Sequence, residues 1–540
     1  MALEHVSSTP AVSRPAPVEQ LLHWAVDAGG RLVAGLLAAL VLARLMRARQ
    51  LHWTWALAGF AFIALADPLP ASAATVLEVA ALGAALLGRR WQREDRESGR
   101  DLAQMAAARR APLDLLAALV RAAALRRRQR RAGDDAWFRG EEVIVGEDRE
   151  NRAVTLPFGG AAGGTHTLLL GATGSGKTVS QSWLATRAIA RGRGTIVVDP
   201  KGDRSLRAAL AHAAAQEGRQ FIEWSPSGPS VYNAFAHGSD TALADKALAG
   251  ERFTEPHYLR QAQRYMGHEV RTLRACGVET SLGTIVEHLD PDRLEVIARR
   301  LAEPEAGSTF DYLDSLTARQ RVELAGVRDR LAILAESDIG RWLDPGTEAA
   351  VHFDLGEAVR ARAVVYFDLD ADSRPLLAQM LGAAIVGDLQ ATVAALQDEP
   401  IATLVAIDEF AALGVERVVG LFGRARSAGF SLVLGTQELA DLRLPGRERV
   451  LEQVVGNLSA LIVHRQVLPD SAALLTSLAG TRGAWRVSRR SDDVVTRTRS
   501  VEPLLDPAEV TGLAPGRAAV IVLAAPSSAR VARMFSPAPR

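Results

Sequence analysis

The sequence predicts a doubly wound α/β sheet set behind an apolar N-terminal region. Three observations carry that prediction. GATGSGKT at 171–178 is framed by a strand-like run and a helix-like run; further short apolar runs close on polar residues and alternate with helical patterns; and three apolar stretches cluster within the first ninety residues. A chain of 540 residues has room for roughly three domains at about 150 residues each. Its formal net charge is +1, so no global field marks it for nucleic acid and any such contact must be local. Cys276 is the single cysteine, which rules out a disulfide within the chain, and no Cys/His spacing suggests zinc.

Residues 1–18 are polar and proline-rich, a disordered composition. The apolar stretches follow at 32–43, 53–66 and 71–88. About 20 apolar residues are needed to cross a bilayer as a helix, so the first stretch is short unless it extends back through Asp27 and Arg31. The second and third, joined by Asp67-Pro68-Leu69-Pro70, are expected to form a helical hairpin over 51–88. Arg44, Arg47 and Arg49 precede it and Arg89, Arg90 and Arg93 follow it, so the positive-inside rule puts both flanks in the cytoplasm. Trp53 and Trp55 fit an interfacial belt. The connector that follows contains Arg121 and the arginine run at 126–131, a solvated face or a contact for lipid or nucleic-acid phosphate.

GATGSGKT fits the phosphate-binding loop G-x-x-x-x-G-K-[ST]. HTLLL (166–170) before it and 179–192 after it supply the strand–loop–helix frame that the motif needs. Glycines let successive N–H groups turn inward, and the helix N-terminus adds positive partial charge. Gly171, Thr173, Gly174, Ser175, Gly176, Lys177 and Thr178 are therefore the expected nucleotide-binding residues. Lys177 is expected on the β- and γ-phosphates and the Thr178 hydroxyl on Mg²⁺.

Further strands are expected at TIVVDPKGD (195–203), ARAVVYFDLD (361–370), ATLVAIDEF (402–410), FSLVLGT (430–436) and SALIVHRQ (459–466). Ligand chemistry on such sheets gathers at the carboxyl ends of the strands. Asp408 and Glu409 stand at one such end. Asp408 is expected to bind Mg²⁺, and Glu409 to orient and deprotonate the attacking water, which separates a hydrolase from a mere binder. Gln437, at the next strand end, is placed to sense the γ-phosphate or to relay hydrolysis to movement. Arg424 and Arg426 precede that strand, and either is a candidate arginine finger for a neighbouring copy's nucleotide. Lys201, Arg204 and Arg207 are candidates for contacting single-stranded DNA.

Together these pieces resemble the type IV coupling proteins, the membrane-anchored ATPases of bacterial conjugation and type IV secretion. The matching segments run in order: the membrane stretches, GATGSGKT, VVDPKGD, WSPSGPSVYNAF (224–235), VVYFDLDADSRPLLAQMLGAAIVGDL (364–389), IDEFAALG (407–414), GRARSAGFSLVLGTQ (423–437), GNLSALIVHR (456–465) and PLLDPAEVTGLAPGRAAVIV (503–522). The resemblance implies a RecA-like P-loop domain with an inserted all-α domain, working as a homo-hexamer on ATP and Mg²⁺ at the bacterial inner membrane, its ATPase domain in the cytoplasm. It also implies single-stranded DNA, relaxase or relaxosome proteins and secretion-channel components as partners, with Arg426 as the finger and Gln437 as the sensor.

The expected organisation is a disordered 1–18, a transmembrane region at 19–90 with two or three helices, and a charged connector at 91–135. The nucleotide-binding domain follows in two parts, 136–239 and 347–540, around an all-α domain at 240–346. The sequence departs from the family in its four-residue external turn, in SVYNAF where a proline commonly follows the asparagine, and in its SPAPR end with no long acidic tail. Two rival readings stand beside this one. An FtsK-type double-stranded DNA pump is disfavoured by the helical insertion and by the lack of a winged-helix module. A protein-substrate receptor using ATP for assembly is weakened by Glu409, Gln437 and Arg426.

Overall fold

The computed structural model describes residues 17–49, 51–65, 70–97, 112–130, 134–159, 163–248, 255–348, 351–443, 449–489, 495–523 and 528–537. The turn expected at Asp67–Leu69 and most of the N-terminal tail lie outside them. Two compact units form: residues 1–126 with 483–502, and residues 127–482 with 503–540.

In the first unit, helix Pro17–Ala48 runs unbroken through Asp27 and Arg31, which pair at 4.0 Å. Two helices here, Val18–Ala48 and Ser72–Glu94, are long and apolar enough to cross a membrane, whereas Thr54–Leu65 is shorter. The two long helices run parallel. A Cβ on Gly35 would stand 2.7 Å from Val79, one on Gly83 would stand 2.7 Å from Ala39, and Arg47 lies over the Trp91 ring. Such close approach needs small residues, and it supplies the van der Waals contact that holds helices together in lipid. The short helix packs back against the second long one through Ala56, Ala84 and Ala85, with Ala43 and Met46 of the first helix in the same cluster. Helix Pro112–Arg130 carries the arginine run at its end, where the side chains lie outside the described residues.

The second unit is built on a sheet that has twelve strands among the described residues. In chain order the strands of the described residues are β1 (Phe138–Arg139), β2 (Glu142–Glu147), β3 (Ala153–Pro157), β4 (His166–Leu170), β5 (Gly194–Asp199), β6 (Phe221–Trp224), β7 (Ser230–Tyr232), β8 (Val351–Phe353), β9 (Val364–Asp368), β10 (Thr403–Ile407), β11 (Phe430–Thr436), β12 (Ala460–Val463), β13 (Thr481–Arg489), β14 (Val495–Pro503), β15 (Arg517–Val522) and β16 (Ser528–Met534), of which β13 and β14 pair with each other and fall almost wholly in the first unit. The order across the large sheet is β1-β2-β16-β15-β12-β4-β11-β10-β5-β9-β6, with β3 on β2. From β12 to β6 every pairing is parallel. β15, β16, β2 and β1 extend the other edge antiparallel.

Every residue of β4, β10 and β11 is buried, because helices cover both faces. That is why these strands are unbroken apolar runs in the sequence rather than alternating ones. β11 lies between β4 and β10, so the phosphate loop after β4 and the acids after β10 flank the end of β11.

Between β7 and β8 the described residues form helices Asp240–Ala247, Pro256–Ala275, Leu282–His288, Pro291–Ala298, Glu305–Asp314 and Ala318–Ala335. Their start is tied to the sheet domain by a buried cluster. Lys246 Nζ lies 2.9 Å from Asp388 Oδ1 and donates to the carbonyls of Ala234 (2.8 Å) and His237 (2.6 Å), while the Tyr232 hydroxyl donates to Asp388 Oδ2 (2.7 Å). Helix Leu377–Ala395, which carries Asp388, is also long and apolar enough to span a membrane, but two-thirds of it is buried in the protein and it serves as core.

Candidate functional site: a phosphate loop facing two acids

The loop after β4 is pinned on both sides. The Gly171 N–H donates to the Thr436 carbonyl (3.3 Å) and the Ala172 N–H to the Arg465 carbonyl (3.2 Å), tying it to β11 and β12. Ser175 N–H closes the turn on the Ala172 carbonyl at 3.1 Å. Gly174 (φ 76°) and Gly176 (φ 107°) adopt left-handed backbone that side chains resist, and helix Lys177–Ala190 starts directly afterwards. Thr173 and Gly174 are exposed, Thr178 is half-buried, and the Ser175 hydroxyl is buried with no hydrogen-bond partner.

Opposite this loop, β10 ends and the chain turns sharply. The Asp408 N–H donates to the Val198 carbonyl (3.1 Å). Glu409 then takes a left-handed conformation (φ 44°), and its N–H donates to Asp408 Oδ1 at 3.0 Å. A non-glycine residue there costs of order 1–3 kcal/mol and persists only where its surroundings enforce it. What enforces it is a convergence of donors. Lys177 Nζ lies 2.9 Å from Asp408 Oδ1 and 2.7 Å from Glu409 Oε1. Lys201 Nζ reaches the same Oε1 at 2.9 Å, and Gln437 Nε2 donates to it at 3.2 Å. The side chains of Lys177 and Asp408 are 8% and 4% exposed. Burial works against the charge of Glu409, but the ammoniums of Lys177 and Lys201 outweigh it and hold the carboxyl below its ordinary range.

His464, just past β12, supports the loop from below. Its Nε2 lies 2.9 Å from the Ser180 hydroxyl, and a Cβ on Gly171 would stand 2.7 Å from its own Cβ. Burial pushes the His464 imidazole down to about 4, so it stays neutral beside Lys177.

Lys177, Asp408, Glu409 and Gln437 thus meet at one end of the sheet, with the loop glycines, Thr173, Ser175 and Thr178 around them. Arg426 does not join them. It precedes β11, at the amino end of the sheet, where its carbonyl accepts from Gly164 N–H (3.1 Å) and its guanidinium donates to the Asn457 carbonyl. β11 has seven residues, so at about 3.3 Å each Arg426 lies some ~20 Å from Gln437 in the same chain. Arg424 is exposed in the last turn of helix Val415–Ala425, on the same side of the fold as Arg426.

Of the three proposed DNA contacts, Arg204 is exposed. Arg207 is held by Glu223 through two hydrogen bonds (2.6 and 2.5 Å), and Lys201 belongs to the acid cluster. Sequence reasoning missed the roles of Lys201 and His464. The signal for Lys201 was its place just past β5, on the edge where the other strands end.

The comparisons with known proteins agree with this architecture. Residues 402–515 match the family model described as the TraM recognition site of TraD and TraG. A 91-residue stretch is 32% identical to the type 4 coupling protein DotL of Legionella pneumophila; it covers 17% of this chain and 9% of that protein's length. Among solved structures, the fold is similar to the unbound monoclinic form of the bacterial conjugative coupling protein TrwBdeltaN70. There the TM-score is 0.55 at 18% identity, over 75% of this chain and 90% of that one. It is also similar to the plasmid coupling protein TrwB in complex with the non-hydrolysable ATP analogue ADPNP (TM-score 0.52, 19% identity, 69% and 85% covered). VirB4 of Thermoanaerobacter pseudethanolicus is similar at a TM-score of 0.50 and 13% identity, with 74% and 98% covered. At these identities the structural likenesses speak to the fold, a RecA-like sheet with an all-α insertion. The family model and the DotL match beside them extend over only part of the chain, and both point towards the type IV coupling proteins.

Proposed function

We propose that this protein is a coupling ATPase of the bacterial inner membrane. It recruits a relaxase–DNA or protein substrate to a type IV secretion channel and drives single-stranded DNA transfer by ATP hydrolysis in a hexameric ring. The observation that carries the reading is the meeting of Lys177, Asp408, Glu409 and Gln437 beneath a phosphate loop.

The residues present fit ATP. The buried Ser175 hydroxyl has no partner in the protein, and Lys177 is held by two carboxylates that a phosphate group replaces. Gly171, Thr173, Gly174, Ser175, Gly176 and Lys177 bind the phosphates, and Thr178 and Asp408 hold Mg²⁺. When bound, Mg²⁺ neutralises charge on the phosphates. Glu409, released from Lys177, accepts a proton from the attacking water, and Gln437 senses the terminal phosphate. Arg426 acts on the next copy's nucleotide, since in its own chain it sits at the opposite end of β11. Helices Val18–Ala48 and Ser72–Glu94 anchor the chain, with their arginine-flanked ends in the cytoplasm. The domain limits proposed are 19–90 for the anchor, 136–239 with 347–540 for the motor, and 240–346 for the helical domain that meets substrate.

The test is ATP turnover by the full chain in lipid nanodiscs with single-stranded DNA, double-stranded DNA or neither. Stimulation by single-stranded DNA above both others supports the reading. Stimulation by the duplex alone favours a double-stranded DNA pump, and turnover indifferent to DNA favours protein cargo.

A further inference from the structure

We propose that Lys201 is the positioning residue of Glu409: the cation that keeps this carboxylate in place once Lys177 has turned to phosphate. The inference rests on the ATPase reading above and gives a role to the DPKGD segment, which that reading leaves without one.

β5 runs beside β10 with Val198 opposite Ile407, so the residues just past each strand end are neighbours. The turn that follows β5 is fixed along its length. Asp199, 1% exposed, accepts the Lys201 N–H on Oδ1 (2.9 Å), and on Oδ2 it accepts the Asp203 N–H (2.7 Å) and the Tyr366 hydroxyl (2.8 Å). The Pro200 carbonyl accepts the Ala371 N–H at 2.7 Å. Gly202 sits at φ 67°, where a Cβ would stand 2.5 Å from Asp368 Oδ1. Asp203 in turn caps helix Arg204–Gln216 through the N–H groups of Ser205 and Leu206. A backbone this constrained delivers one unconstrained side chain, Lys201, to Glu409.

The two lysines approach Glu409 Oε1 differently. Lys177 comes from the interior at 8% exposure, and Lys201 comes from the solvent side at 43%. With Gln437 they place three donors on one oxygen, more than its two lone-pair directions serve well. Lys177 is the donor with somewhere else to go, because it also belongs to the phosphate loop. Lys201 belongs to a turn that stays where it is, and so remains on Glu409 through the reaction.

The experiment uses the full chain in nanodiscs and a fluorescent non-hydrolysable ATP analogue. Lys201→Met keeps an unbranched side chain one atom shorter and removes the charge. A slightly misplaced catalytic group costs up to about a hundredfold, so kcat is expected to fall roughly tenfold to a hundredfold. KM and analogue affinity stay within about twofold. Lys201→Arg recovers part of kcat. In a Glu409→Gln background the residual single-turnover hydrolysis is lowered no further by Lys201→Met, because its partner is already gone. Loss of analogue affinity in Lys201→Met, or an unchanged kcat, overturns the proposal. If the parent protein keeps full turnover after Glu409→Gln, the ATPase reading itself has failed; if only Lys201→Met is silent, this inference alone has.

Discussion

Replacing Lys246 by methionine should loosen the joint between the helical insertion and the motor sheet. Both members of the Lys246–Asp388 pair are 3% exposed, and the ammonium also holds the carbonyls of Ala234 and His237. Removing it leaves the Asp388 carboxylate buried with the Tyr232 hydroxyl as its remaining hydrogen-bond donor here, and strands two carbonyls. Breaking a buried pair from one side costs about 3–5 kcal/mol, mostly from the charge left behind. Removing both charges in Lys246→Met/Asp388→Leu strands the same two carbonyls, but in place of a buried charge it leaves the Tyr232 hydroxyl unpaired, a loss of roughly 1–3 kcal/mol. The double variant should therefore be the milder one. Burial already pushes the Asp388 carboxyl up, with Lys246 opposing it, so in the single variant the carboxyl takes a proton more readily. The loss is then smaller at pH 6 than at pH 8. A chain with two compact units has no single unfolding free energy, so the assay is hydrogen exchange of the amides in 240–247 and 375–395. At 1.4 kcal/mol per tenfold, exchange there should speed up by about a hundredfold or more in the single variant. A change below about fivefold, or a double variant as damaged as the single, would refute the reasoning.

Three further outcomes are expected. Arg426→Ala should lower turnover by a thousandfold or more with nucleotide affinity unchanged, within the range of arginine fingers. Mixing it with Lys177→Met copies, themselves inactive, should restore part of the activity, since a copy with an intact loop then meets an intact arginine; a mixture that stays dead argues against action between copies. Glu269 is fully buried with both carboxylate oxygens unpartnered, and burial holds its carboxyl well above the ordinary 4.5. The folded state thus keeps a proton that the unfolded state releases, so stability is complete below pH 4.5 and falls as pH rises towards the raised value. Glu269→Gln should flatten that fall in thermal unfolding of the helical insertion between pH 5 and 8. Gly202→Ala forces a Cβ against Asp368 at positive φ and should lower both stability and kcat, with analogue affinity retained.

The parallel strands were legible because a strand buried on both faces must be apolar throughout, and HTLLL, TIVVD and LVAI announce themselves that way. That the loop at 171–178 and the Asp408–Glu409 pair come together was legible because a phosphate-loop motif and an acid-ended strand restrict residue type. The antiparallel edge was less so. β16, for example, lies between β15 and β2 but is only partly buried over Ser528–Met534, and a half-buried strand rich in polar residues has the composition of a loop. Helices Leu282–His288 and Glu305–Asp314 went unread since they are short, the first depending on a Ser281–Thr284 capping box more than on periodicity. The unbroken first helix was obscured by Asp27 and Arg31, whose charges pair with each other along the helix. Arg426 was singled out by its spacing to the glycine that follows, but its place at the end of the sheet opposite the phosphate loop depends on β11 pairing parallel with β4, and so on tertiary structure.

The most direct measurement is ATP turnover by the full chain in nanodiscs with single-stranded DNA, as protein concentration rises, for the parent protein beside Glu409→Gln. The account predicts turnover that climbs more steeply than linearly in the parent, as copies complete each other's sites, and that vanishes in Glu409→Gln while nucleotide still binds. Turnover that is linear in concentration and survives Glu409→Gln would contradict it.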